Sequence, residues 1–94
     1  LLKTNPFKTG SASSSTITVT EVSHDRTSDD TVRFRDAISF DGITADNINL
    51  AAGYTITVVD TDSYTFTVST DTATTGSING GGFRAYAGPA TIVA

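Results

Sequence analysis

The chain reads as an all-β domain, a small barrel or sandwich of about 5–7 short antiparallel strands behind an extended N-terminal arm. Three observations predict it. Apolar and polar residues alternate with period two in several short runs. Asn, Asp, Gly and Ser clusters punctuate those runs at roughly ten-residue intervals. Threonine, β-branched and suited to a half-solvated pleated face, is the commonest residue, at 18 of 94.

The elements follow in order. Residues 1–15 read as an arm and linker, with Asn5-Pro6 a turn signal and Thr9 to Ser15 rich in Gly and Ser. Residues 16–94 read as the β domain. In Thr16 to Val22, Ile17 and Val19 share one face and three threonines the other. Ser23 to Asp30 is polar and reads as a loop. Thr31 to Arg35 resumes the alternation, with Val32 and Phe34 inward and both arginines outward. Ala37 to Phe40 continues it after a kink at Asp36, and Asp41-Gly42 is a turn dipeptide. Thr44 to Leu50 holds one helical turn, with Thr44 as its cap and Ile48 inward; it is too short for an independent helix.

Tyr54 to Ser69 reads as a hairpin about a four-residue turn, Asp60 to Ser63. Asp71 to Gly82 reads as a loop ending in three glycines. Phe83 to Tyr86 and Thr91 to Val93 each add a strand around Gly88-Pro89. The shared phase predicts one buried cluster: Ile17, Val19, Val32, Phe34, Ile56, Val58, Tyr64, Phe66 and Val68.

Composition narrows the function. A chain of 94 residues forms one domain and buries about 60–65% of its unfolded surface, so it stands alone by a narrow margin. The net charge of −4 argues against nucleic acid, which requires a cationic stripe; Arg33, Arg35 and Arg84 are too few and scattered. No apolar run reaches the ~20 residues of a membrane-spanning helix. Without cysteine there is no disulfide, thiolate ligand or Cys nucleophile. The chain opens at Leu1 rather than Met, which reads as a processed edge or a cut from a longer chain.

Chemistry has few candidates. His24 is the single histidine. Ser23 and Asp25 flank it, but neighbours on an extended chain point apart, so the string is no triad. Asp60 and Asp62 with Asp71, or Asp25, Asp29 and Asp30, offer oxygens for Ca²⁺. Turn chemistry explains them as well, since Asp bonds its own backbone. Gly80-Gly81-Gly82 lacks the Lys and the following helix of a phosphate loop. Most aromatics fall on the apolar face, which favours a core over a sugar platform. The expectation is no catalytic, cofactor-binding or metal-binding residue. The candidate interface is the arm, with Leu1, Leu2 and Phe7 docking on a neighbouring chain.

The order of motifs resembles a small β module found, often in tandem, in phage tail and tail-fibre-like proteins and in gene-transfer-agent structural proteins. The residues that carry it are Asn5-Pro6-Phe7, Ser15 to Val19, Ser23-His24 and Asp30 to Phe34. Gly42 to Asn49, Tyr54 to Val58, Asp62 to Val68 and Gly80 to Gly82 follow. Two positions depart from the family pattern: Asp25 and Asp29 stand where the family has glycine. The resemblance implies a virion structural role, in the tail or another exposed part of a particle. The implied partners are copies of itself or neighbouring virion proteins, with no nucleic acid and no membrane. The alternative is a carbohydrate or cell-surface binding module that meets a host glycan, and after it a head decoration protein.

Overall fold

Period-two alternation resolves into two antiparallel sheets packed face to face. The computed structural model describes residues 1–89. Eight strands are β1 (Phe7–Thr9), β2 (Thr16–Thr20), β3 (Thr31–Arg35), β4 (Tyr54–Thr55), β5 (Thr57–Asp60), β6 (Ser63–Thr67), β7 (Asn79–Gly80) and β8 (Tyr86–Pro89). One helical turn, α1 (Ala45–Ile48), precedes β4. The larger sheet runs β5-β6-β2-β1-β7 and the smaller β4-β3-β8. The architecture is a sandwich; the two sheets do not close into a barrel.

The core lies between the sheets. Phe34 from the smaller sheet meets Phe66 and Phe7 of the larger one, with ring centroids 4.8 and 5.2 Å apart. Ile17, Val19, Val32, Ile56, Tyr64 and Val68 are buried around them, and Val58 is half-buried. Ile48 of α1 is buried as well. The opposite face of the larger sheet is polar. One transverse row reads Thr57, Thr65, Thr18, Lys8 and Asn79 across all five strands. Such cross-strand threonine pairs stabilise a solvated face.

The N-terminal arm is the main correction. Phe7 and Leu2, expected to dock on a neighbour, are buried in this chain's own core, and only Leu1 is exposed. Strand β1 lies inside the larger sheet, with Phe7 opposite Val19 on one side and Gly80 on the other. Leu2 is fixed by its amide, which donates to the Ala85 carbonyl at 2.8 Å. Residues 1–9 are therefore part of the β domain, and only the Gly10 to Ser15 stretch behaves as a connection. The physical reason is burial: an inward Phe and Leu withdraw about 1.5–3 kcal/mol each of apolar surface from water.

Glycine makes room for that strand. A Cβ on Gly81, at φ +103°, would sit 2.3 Å from the Phe7 ring. Asp41 and Gly42 both have positive φ and close the tight turn that pairs Phe40 with Ile43, as the dipeptide predicts.

Four further expectations change. Tyr54 to Ser69 is not one hairpin, because the chain switches sheets at Ile56. Tyr54 and Thr55 pair with β3, whereas Thr57 to Asp60 pair with β6. Buried Ile56 sits at the crossing, its backbone bonded to Asp29 and Asp30. The loop between β5 and β6 is two residues, Thr61-Asp62, with an irregularity between Val58 and Asp60. Ala37 to Phe40 forms no strand. Asp36 turns at φ +60°, and the Asn49 side chain bonds both backbone groups of Ala37. The last described strand is Tyr86–Pro89 rather than Phe83 to Tyr86; it is an edge, where proline costs no ladder bond. Thr91 to Val93 lie outside the described residues.

Candidate functional site

Three clusters of polar side chains stand out, two built by loops that the sheets bring together and one on a sheet face.

The first lies where the Ser23 to Asp30 loop meets the β5–β6 turn. The Tyr64 hydroxyl donates to Glu21 at 2.7 Å, and Arg26 Nε pairs with the same carboxylate at 3.0 Å. Burial, then the bond to the Glu21 carboxylate, pushes the Tyr64 hydroxyl far above its usual range. The His24 ring stands edge-on to Tyr64. Its Nδ1 accepts the Arg26 amide proton at 2.8 Å, and its Nε2 lies 2.7 Å from the Asp60 carbonyl, to which it donates. Both ring nitrogens are thus committed to the backbone. A base must have one free to take a proton, so this His24 is a brace for the loop. Glu21 is the acceptor at the centre of the cluster.

This arrangement specifies the neutral Nε2–H tautomer. Ring ¹⁵N shifts of the neutral imidazole should be those of the Nε2–H form. A ring averaging both tautomers would contradict the assignment.

The second cluster ties the Asp71 to Gly82 segment to its surroundings. Asp71 Oδ2 accepts from the Thr44 amide at 2.7 Å, the Thr44 hydroxyl at 2.8 Å and Asn47 Nδ2 at 2.7 Å. Thr44 therefore does not cap α1 with its own side chain. Those bonds, led by the Thr44 amide, hold the Asp71 carboxyl below the usual carboxylate range. Asp41 accepts from the Thr9 hydroxyl and from the amides of Thr75 and Gly76. Desolvation opposes its ionisation, but these donors together outweigh it and the carboxyl is lowered. Tyr54 donates its hydroxyl to the Asn47 carbonyl beside them.

Both carboxylates bind protons more weakly in the folded chain. Their stabilisation is full above the ordinary carboxylate range, about pH 4, and is lost as pH falls through their lower folded values. An Asp41→Asn/Asp71→Asn variant should melt below the parent at neutral pH, and the gap should close in strong acid. A gap independent of pH would count against these bonds.

The Ca²⁺ candidates do not assemble. Asp71 serves Thr44 and Asn47, far in the fold from the Asp60 turn, where Asp60 accepts from the Asp62 amide and Ser63 hydroxyl. Among the described residues no three His, Cys, Asp or Glu side chains converge on one point. Nor is any described helix long and apolar enough to cross a membrane.

The third cluster is the outward face of the smaller sheet. Arg33 and Arg35 project there from β3, opposite Gly88 and Tyr86 of β8. The Arg35 guanidinium lies over the Tyr86 ring at 5.4 Å. This juxtaposition depends on the β3–β8 register, and outward arginines alone did not signal it. Nearby Phe83 is 66% exposed, with Arg84 over its ring. Comparison with protein-family models, with characterised proteins and with solved structures finds no match to this chain.

Proposed function

We propose that this chain is a structural module of a virus particle, associated with the tail, where it packs against copies of itself or neighbouring virion proteins. One observation carries most weight. Asp25 and Asp29 stand where the resembling phage-tail family has glycine, and both have positive φ, 54° and 76°. Glycine is the default for that backbone, and Asp tolerates it better than most residues. The loop therefore keeps the backbone shape that glycines at those positions would favour. The sheets support the same reading: they are held by packing and ladder bonds without disulfides, and they present threonine faces to solvent.

The test is to locate the chain. Virus particles purified on a density gradient and probed with an antibody against it should carry the label along the tail. Recovery only in the soluble cell fraction would refute the proposal. A second reading, a glycan-binding module, is favoured by the exposed ring of Phe83. Glycan-array binding that is lost in Phe83→Ala would favour it over the first.

A further inference from the structure

We propose that the outward face of the smaller sheet is a docking surface for the acidic Ser23 to Asp30 loop of a second copy of this chain. The inference rests on the reading of the chain as one of many packed copies, and it names the surfaces that meet.

The receiving face is preformed. Strand register sets Arg33 opposite Gly88 and Arg35 opposite Tyr86. Gly88 contributes no side chain, and a Cβ there would touch nothing within 4 Å. What remains is a recess of about 280 Å³ lined by Arg33, Arg35, Gly88 and Pro89. Arg33 Nε is buried and has no hydrogen-bond partner among the described residues. The planar guanidinium fork of an arginine matches a carboxylate, and the open part of this face is cationic. The Tyr86 ring holds the Arg35 guanidinium at the rim.

The acidic loop supplies what the recess lacks. Asp25 and Asp29 are exposed, and neither carboxylate has a hydrogen bond or ion pair among the described residues. The ion pair found among the described residues joins Arg26 of the loop to Glu21 and leaves Asp25, Asp29, Arg33 and Arg35 out of it. Within one chain the loop carboxylates and the β3 arginines thus stay apart, and between two chains their charges are complementary. Such a contact closes as a two-fold pair where it is made reciprocally and propagates as a ring or an array where it is not.

Sedimentation velocity on the full chain, from dilute to millimolar, tests this. Self-association at low salt should weaken about tenfold or more on moving to high salt, because exposed charge pairs are screened. Asp25→Asn/Asp29→Asn keeps side chains that tolerate positive φ, so it should melt like the parent yet stay monomeric. Arg33→Glu/Arg35→Glu should also stay monomeric, and mixing it with Asp25→Lys/Asp29→Lys should restore association between the two variants. Association that ignores salt and survives Asp25→Asn/Asp29→Asn would overturn the docking surfaces while leaving packed copies through another face. A parent chain monomeric throughout would overturn the contact and weaken the packed-copy reading with it. Binding of a soluble polyuronate to the arginine face, with no self-association, would assign that face to an acidic glycan instead.

Discussion

Deleting Leu1 to Thr9 is expected to leave no folded population. The deletion removes β1, an interior strand bonded to β2 on one side and β7 on the other. It strips Phe7 from the aromatic core, where its ring meets Phe34, Phe40 and Phe66. It also removes the Thr9 hydroxyl from Asp41. Losing a buried Phe alone costs about 3–5 kcal/mol, against a total of about 5–15 kcal/mol for a domain. The unpaired β2 edge and the displaced Gly80 to Gly82 segment add to that loss. Circular dichroism and ¹H NMR dispersion at room temperature read the outcome directly. Removing Leu1 alone is the control; that residue is 74% exposed, and its loss should leave the melt unchanged. A truncated chain that still melts cooperatively near the parent temperature would show that the arm is dispensable.

The second large effect is expected at Phe66. Its ring lies 4.8 Å from Phe34 and from Tyr54 and 6.1 Å from Phe7, so it joins both sheets. Phe66→Ala opens a cavity at that junction and should cost about 3–5 kcal/mol. In a domain of this size each kcal/mol lowers the melting temperature by roughly 4–8 °C. The variant should therefore be partly unfolded at physiological temperature. Val59→Ala, on the exposed edge strand β5, should by contrast melt with the parent. Thermal melts of the two variants side by side test the assignment. Equal melting temperatures would contradict a core centred on Phe66.

Alternation made the core legible because side chains on a strand leave opposite faces in turn. Eight of the nine residues predicted inside, from Ile17 to Val68, are buried, and the ninth, Val58, is half-buried. Turn dipeptides were equally readable: Asp41-Gly42 needs positive φ at both positions, a local demand with a local signature. The role of Glu21 was not legible, for the opposite reason. Its partner Tyr64 lies 43 residues away, and nothing local announces that bond.

The amino-acid sequence by itself determined that this is a β protein, which faces of its longer strands are apolar, and where its turns fall. Those features depend on neighbouring residues only. The tertiary structure decided which strands share a sheet. It turned a three-residue stretch at Phe7, too short to show a period, into the interior strand β1. It switched the chain between sheets at Ile56, within an alternation that runs unbroken through the crossing. It also placed Gly88 beside Arg33, opening the arginine face. Each of these is a long-range pairing chosen by burial and hydrogen bonding over the whole fold, and no local period encodes it.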